Sequence, residues 1–295
     1  MSGSELRDTR RRIRSVQATE KITRAMGMIA SSRIPKSVSR LSTSKSYIES
    51  MRELVRTVVS DATEKNHPLL DVHPLGRVGI LVIASDRGLV GAYVSSVIKM
   101  AEARISEIVQ TGREVSIFAV GRKAHAYFRY RGYTVEKVWI GLTDNPTYRD
   151  SRQVSSAILE QFELNRIRCL EVFYTQFRSA LVQKPTHLEL VPISVEEREG
   201  ERGSSPIYEP PPDTMLGRLL RRYVDATVYD CLLESATSEH SARRRAMKAA
   251  TDNAEDLIKG LGIQANRARQ SEITSEIAEI VGGAEALAEL RAERG

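Results

Sequence analysis

The chain has 295 residues, a hydrophobic fraction of 41%, an aromatic fraction of only 5% and a formal net charge of +6. It is long enough to bury a sizeable core, but so few aromatic side chains are unusual for a single thick globular domain. Long helices whose seams use Leu, Ile, Val, Met and Ala explain this composition better. No segment approaches the ~20 consecutive apolar residues that span a bilayer, so any membrane association must run through a partner.

The positive charge is concentrated at the start of the chain. Residues 1–58 carry 13 Lys/Arg against 5 Asp/Glu, and the remainder is slightly acidic. A basic helix of this kind can meet nucleic acid, a membrane surface or an acidic protein, and composition alone does not choose among them. Cys169 and Cys231 are too far apart for a metal-ligand pattern, and we expect both to be small core residues in a reducing cytoplasm.

The first segment, residues 1–66, is expected to form one very long helix. From Ser4 to Ser60 apolar residues recur at helical spacing, which predicts a narrow apolar stripe that needs a partner helix. Pro35 predicts a kink or local break near Ser31–Pro35, because proline lacks the backbone donor and clashes with the preceding turn. The expected stripe consists of Ile13, Val16, Ile22, Met26, Ile29, Leu54, Val55 and Val58.

A linker at His67–Gly76 separates this helix from a segment with a different period. Residues 77–195 alternate short apolar runs with helical patterns, which predicts an α/β domain with a mostly parallel sheet. The expected strands are Val78–Ala84, Val115–Val120, Val135–Ile140, Leu170–Phe177 and Leu188–Ile193, and the expected helices are Ala92–Gln110, Lys123–Arg131 and Tyr148–Leu164.

A charged and proline-rich stretch leads into the last segment, residues 213–295, where the helical period returns. Asp213 is the expected N-cap, and Gly260 and Gly262 are weak points that cost ~1 kcal/mol each relative to alanine. The final apolar positions follow a 4-3-4-3 heptad pattern, and they are Ile273, Ile277, Ile280, Ala284 and Leu287. The predicted fold class is therefore α+β, with terminal helices in a long antiparallel coiled coil and an α/β domain inserted between them.

The sequence shows no catalytic or ligand-binding signature that would identify an enzyme. The glycines in Ser85–Tyr93 follow a strand, but neither nucleotide-binding glycine motif occurs, which favours a tight turn over a phosphate cradle. His125 and His240 lack ligand partners at metal spacing. The basic runs Arg10–Arg14 and Arg243–Arg245 suit solvated helix faces or an acidic protein partner better than nucleic acid, because no aromatic side chains for base stacking are interleaved with them.

Several segments resemble the gamma subunits of bacterial F-type ATP synthases. The resemblance follows the family in order over nearly the whole chain and is most specific at the C-terminal end. It is carried by Arg10–Val16, Lys21–Met26, Ser85–Leu89, Ala246–Ala254, Asn266–Gln270, Ile273–Thr274 and Glu279–Gly283. The middle of the chain, at Gly121–Lys123 and Asn145–Tyr148, is most similar to actinobacterial members.

The resemblance implies a rotating central stalk that couples proton flow to ATP synthesis or hydrolysis at the beta subunits and regulates the ATPase activity. The coiled coil would lie in the bore of the alpha and beta hexamer. The Rossmann-like α/β domain would lie near the membrane rotor ring of c subunits, with the epsilon subunit as a further partner. Such a subunit has no catalytic residue, cofactor or metal of its own. It is peripheral to the cytoplasmic face of the plasma membrane through the complex.

The resemblance also assigns roles to individual residues. Arg269, Gln270 and Thr274 would contact loops of the beta subunits. A basic face toward acidic beta segments would consist of Arg10, Arg11, Arg12, Arg14 and Arg24. The shaft seam or bearing would consist of Met26, Ile273, Ile277, Ile280 and Leu287, and we expect a helix–helix seam up to Ile280 and a bearing surface beyond it. The alternatives from other classes are a basic coiled-coil protein that binds nucleic acid and a nucleotide-dependent enzyme on the α/β domain.

Overall fold

A computed structural model describes residues 3–62, 67–71, 75–194 and 208–292, with side chains for residues 6–284 of these ranges. The chain divides into two compact units. Residues Met1–Met28 and Ala246–Gly295 form one, here called the helical unit, and Ile29–Arg245 form the other, the α/β unit. The predicted segments 1–66, 77–195 and 213–295 follow the order of the elements. The compact units instead group part of each terminal helix with the sheet.

Two helices account for nearly half of the chain. Helix α1 extends over Gly3–Asp61 and α5 over Pro212–Ala292. Between them lie β1 (Arg77–Ile83), α2 (Tyr93–Gln110), β2 (Val115–Val120), α3 (Arg122–Tyr130), β3 (Val135–Trp139), α4 (Tyr148–Glu163), β4 (Ile167–Phe177) and β5 (Gln183–Val191). Every predicted strand and helix is thus present, most within two residues of its expected ends.

The five strands form one mixed sheet in the order β3-β2-β1-β4-β5. Strands β1 to β4 are parallel, and β5 pairs antiparallel with β4 at the edge. Strand β5 begins five residues earlier than the predicted Leu188–Ile193. Pro185 obscured this start, because proline lowers strand propensity and is tolerated mainly on edge strands.

The α/β unit buries both faces of its sheet. Successive side chains of a strand point to opposite faces, so Ile80 and Val82 pack with α2 and α3 while Leu81 and Ile83 pack on the other side. That second core includes residues of α4 and α5 and the end of α1, such as Val58, which is fully buried. The continuous apolar run in β1 therefore reflects a strand covered on both faces.

Helix α1 does not break at Pro35, contrary to the expected kink or interruption near Ser31–Pro35. Proline removes one backbone hydrogen bond and costs about 3 kcal/mol in a helix interior. Ala30, Ile34 and Leu41 are buried on either side of it. Because burial of a side chain as large as Ile34 or Leu41 contributes about 1.5–3 kcal/mol, this packing offsets that loss.

The start and the continuity of α5 also differ from expectation. The helix begins at Pro212, which places Asp213 in the first turn rather than at the N-cap. Proline suits the first helical position because its missing N–H has no intrahelical partner there. Gly260 and Gly262 lie within the continuous helix, and added Cβ atoms at both would meet nothing within 4 Å.

Candidate functional site

The helical unit is held together by a seam with heptad spacing. Buried and half-buried positions recur at steps of three and four on α1 at Leu6, Thr9, Ile13, Val16, Glu20, Thr23 and Gly27, and on α5 at Met247, Thr251, Ala254, Ile258, Leu261, Ala265, Ala268 and Glu272. Thr23 Oγ1 lies 2.8 Å from Thr251 Oγ1, and a Cβ on Gly27 would lie 3.5 Å from Cβ of Met247. The residue number rises from 23 to 27 on α1 while that of the contacting residue falls from 251 to 247 on α5, so the two helices are antiparallel.

This seam coincides only in part with the predicted aliphatic stripe, because Ile13 and Val16 belong to both. Ile22 is 60% exposed, and Ile29 and Leu54 of the α/β unit are also exposed, so their assignment to the stripe is wrong. Met26 is half-buried. Polar and small residues alternate with aliphatic ones along the seam, and the small ones let the two backbones approach closely.

The apolar heptad at the end of α5 lies outside the seam. Ile273, Ile277 and Ile280 are 45%, 57% and 72% exposed, so the helix–helix seam expected up to Ile280 is wrong. The last seam position is Glu272, and one further residue turns the side chain about 100° around the helix. The bearing interpretation remains a prediction for these isoleucines. The side chain of Leu287 lies outside the described residues.

The three predicted polar contact residues share the exposed surface of this helix. Arg269, Gln270 and Thr274 are exposed, and Thr274 Oγ1 donates to the Gln270 carbonyl at 2.9 Å. Arg269 makes no ion pair with any side chain that the structure describes. Arg269 and Gln270 therefore remain available for contacts outside the chain.

The predicted basic face contains two kinds of arginine. Four of its members are exposed and have no ion-pair partner among the described side chains, namely Arg10, Arg11, Arg12 and Arg14. Arg24 differs, because its guanidinium lies 2.6 Å from both Glu20 and Glu255. The uncompensated charge of the face is thus concentrated in the first four turns of α1.

The glycine-containing loop after β1 is hydrogen-bonded to the segments that follow β2 and β3. One carboxylate oxygen of Asp86 accepts from the backbone N–H of Arg122 at 3.0 Å, and the other accepts from the N–H of Gly141 at 2.8 Å and from the Thr143 hydroxyl at 3.1 Å. Gly121 has a φ of 97° and allows the backbone at Ala84 to approach closely, since a Cβ on residue 121 would lie 2.5 Å from the Ala84 carbonyl oxygen. The tight-turn interpretation accounts for these contacts.

Helix α5 is buried on every side over Cys231–Arg243. Yet this stretch carries charged groups: Glu234 pairs with Lys45 and Glu239 pairs with Arg243, each at 2.6 Å. Burial raises the pKa of Glu239 to about 7, although the guanidinium of Arg243 opposes the shift. Small residues between the charges let neighbouring elements pack against the helix from all directions.

The comparisons with known proteins agree with this architecture. Residues 5–287 match the sequence model of the ATP synthase family. The ATP synthase gamma chain of Streptomyces griseus is 44% identical over 98% of this chain and 98% of its own length. That of Acidothermus cellulolyticus is also 44% identical, over 97% of this chain. The chain belongs to the ATP synthase gamma chain family.

Solved structures show the same fold at much lower sequence identity. A chain of the Euglena gracilis mitochondrial ATP synthase, from a structure of its OSCP, F1 and c-ring, is similar with a TM-score of 0.69 and 18% identity. The match covers 97% of this chain and 95% of the Euglena chain. The gamma chain fold of terminal helices around an α/β insert is thereby established. The family does not support the nucleic-acid-binding alternative.

Sequence reasoning missed the buried charges of the gamma chain's last helix. Glu239 and His240 are 2% and 1% exposed, and Nε2 of His240 lies 3.1 Å from the Asp144 carbonyl oxygen. The available signal was a run of Ser, Thr and Ala between charged residues, which is typical of a helix with close neighbours on every face. Both histidines were interpreted as lone side chains without metal-ligand partners, and of the two His240 is buried whereas His125 is half-buried.

Proposed function

We propose that this chain is the rotating central shaft of an F-type ATP synthase. It couples proton flow through a membrane ring of c subunits to ATP synthesis or hydrolysis at the beta subunits, and it regulates the ATPase activity. Family membership over residues 5–287 and the fold of the helices and insert support this role. Its partners are the alpha, beta and epsilon subunits and the c ring.

The observation that carries the proposal is the uncovered apolar surface of the helical unit. Ile273, Ile277 and Ile280 follow heptad spacing, yet the side chains that the structure describes leave all three exposed. Contiguous exposed apolar surface marks an interaction site rather than ordinary solvated surface. A hydrophobic bearing in the hexamer is the partner that fits such a surface, and its weak directionality suits a turning contact.

The polar residues beside this surface are proposed as coupling contacts. Arg269 and Gln270 are exposed, and Thr274 lies one turn further on, so all three can reach loops of the beta subunits. The unpaired arginines in Arg10–Arg14 are proposed to face acidic beta segments. Attraction between a basic shaft and acidic partners acts over several ångströms and transfers readily from one partner to the next. Arg24 contributes less, because two carboxylates already compensate its charge.

We assign no catalytic residue, cofactor or metal to this chain, and the chemistry belongs to the beta subunits. The loop after β1 supports this, since the backbone N–H of Arg122 at the start of α3 already donates to the Asp86 carboxylate. A phosphate bound at that helix start would need the same donor and would meet a carboxylate. Among the described residues, no group of three His, Cys, Asp or Glu side chains could hold a metal ion.

The proposed location is the cytoplasmic face of the plasma membrane, with attachment through the complex. None of the described helices combines the length and apolar character that crossing a bilayer requires. Attachment through the c ring would therefore hold the chain at the membrane as a peripheral subunit.

Reconstitution with the alpha and beta subunits of the same organism tests the function. We expect the assembled complex to hydrolyse ATP and the isolated chain to show no turnover, because the chain contributes geometry rather than catalytic groups. Failure of the chain to copurify with alpha and beta subunits, or ATP turnover by the pure chain, would contradict the proposal.

A further inference from the structure

A polar cleft of about 390 Å³ lies within the α/β unit, away from the surfaces assigned above. One wall is α1, and the other is formed by the segment between β3 and α4 and by α5. Its lining residues are Ser32, Arg33, Lys36, Ser37, Arg40, Asp144, Asn145 and His240. The rotary role uses none of them.

The cleft carries more positive charge than its own side chains compensate. Arg33 pairs with Asp144, the one carboxylate in the lining. Among the described residues, Arg40 hydrogen-bonds neutral acceptors only, and these are the Asn145 amide oxygen, the Pro146 carbonyl and the Tyr229 hydroxyl. Lys36 has no ion-pair partner among the described side chains. Two cations of the cleft therefore lack a counter-charge among the side chains that the structure describes.

The cationic groups are also placed close together on one helix face. Arg33, Lys36 and Arg40 are separated by three and four residues, so they are neighbours on one side of α1. Like charges at this spacing repel one another. A bound anion would remove that repulsion and would find the Ser32 and Ser37 hydroxyls in the same lining.

His240 adds a buried polar atom without a partner. Its Nε2 must carry the hydrogen, because the Asp144 carbonyl at 3.1 Å can only accept. The other ring nitrogen, Nδ1, is buried and has no hydrogen-bond partner in the part of the chain that the structure describes. Burial lowers the pKa of His240, and the positive charges of Arg243 and Arg33 reinforce this shift while Asp144 opposes it, so the ring is neutral at neutral pH.

We propose that this cleft binds a phosphate-class oxyanion through Arg33, Lys36 and Arg40, with the imidazole of His240 as a fourth, proton-dependent partner. An oxyanion beside His240 stabilises the doubly protonated ring, so that binding takes up a proton. Inorganic phosphate, pyrophosphate and the phosphates of a nucleotide share this chemistry. The site lies in the α/β unit alone and does not depend on the rotary function.

Calorimetric titration of the full chain with inorganic phosphate, pyrophosphate and ATP, at matched ionic strength, tests the site and distinguishes the sources. We expect saturable binding, and Lys36→Gln should weaken it about tenfold, since a hydrogen bond from a charged donor is lost. The matched control is Lys99→Gln, an exposed lysine of α2 outside the cleft. No saturable binding of any of the three anions, or equal weakening by both variants, would overturn the proposal.

The imidazole is tested with sulfate, whose charge does not change between pH 6 and 8. Sulfate should bind more tightly to the wild-type chain at pH 6, because His240 gains its proton on binding. His240→Gln keeps a donor toward the Asp144 carbonyl, and it should remove the pH dependence while retaining binding through the cations. Equal sulfate affinity of the wild-type chain at both pH values would show that the four-group site is wrong.

Discussion

The helical unit and the α/β unit each contain part of α1 and part of α5. The side chains of these two helices are buried very differently in the two units. In the helical unit only one narrow seam is covered, and α5 beyond Glu272 is exposed over its described side chains. In the α/β unit the same helix is buried on all sides over Cys231–Arg243. A single helix can thus be a core element in one unit and an interaction surface in the other. The role of each part of α5 thus depends on which elements pack against it and not on helical propensity.

The largest effect is expected from a cavity in the core of the α/β unit. Phe128 of α3 is fully buried, and Phe128→Ala should lower the free energy of unfolding by about 3–5 kcal/mol. Tyr130→Ala is the matched control on the same helix, because Tyr130 is 87% exposed and should change stability by less than about 0.5 kcal/mol. Urea denaturation of the full chain measures both. Similar losses for the two variants would contradict the described burial of α3.

The next effect concerns the buried carboxyl of Glu239. Its pKa in the folded chain is raised to about 7, so its contribution to stability is complete below about pH 4.5 and is lost as the pH rises through 7. The wild-type chain should therefore lose on the order of 3 kcal/mol more than Glu239→Gln between pH 4.5 and 8. Denaturant unfolding across this range gives the two slopes.

Glu163→Gln is the control for this pH dependence. Glu163 forms an exposed pair with Arg221, and removal of such a pair changes stability little at any pH. Parallel pH profiles for wild type and Glu239→Gln would show that Glu239 is not desolvated.

A smaller effect, confined to function, is expected at the tip of the helical unit. Replacing Arg269 and Gln270 together by Ala should reduce proton-driven ATP synthesis by the reconstituted complex several-fold, since each replaces a polar contact with a partner. Unfolding of the isolated chain should be unchanged, because both side chains are exposed. Lys259→Ala, another exposed change on the same helix, serves as the control. A normal synthesis rate would remove both residues from the coupling surface.

A similarly small effect on the isolated chain is expected at Ile277, where the prediction separates a seam residue from a surface residue. Ile277→Asp should leave the melting temperature within about 2 °C, because the side chain is 57% exposed, while assembly with alpha and beta subunits should fail. Leu261→Asp places a charge at a seam position that is 5% exposed and should loosen the helical unit. Circular dichroism melting compares the two. A lower melting temperature for Ile277→Asp would show that Ile277 contributes to the helix–helix seam.

The sequence by itself determined the order and type of the elements, because period and composition are local properties. The alternation in residues 77–195 located every strand, and the unbroken helical period located both terminal helices. Resemblance to the gamma family supplied Arg269, Gln270 and Thr274, which periodicity alone does not distinguish from other exposed polar residues.

Only the tertiary structure decided which faces are covered. Apolar spacing shows that a face avoids water, but it does not say whether the same chain or another protein covers it. Ile22 and Ile277 therefore match the pattern of a seam but stay exposed, whereas Thr23 and Gly27 lie in it, since close approach of two backbones favours small residues. Pro35 stays helical and Glu239 stays buried for the same reason: packing from neighbouring elements outweighs the local preference of either residue.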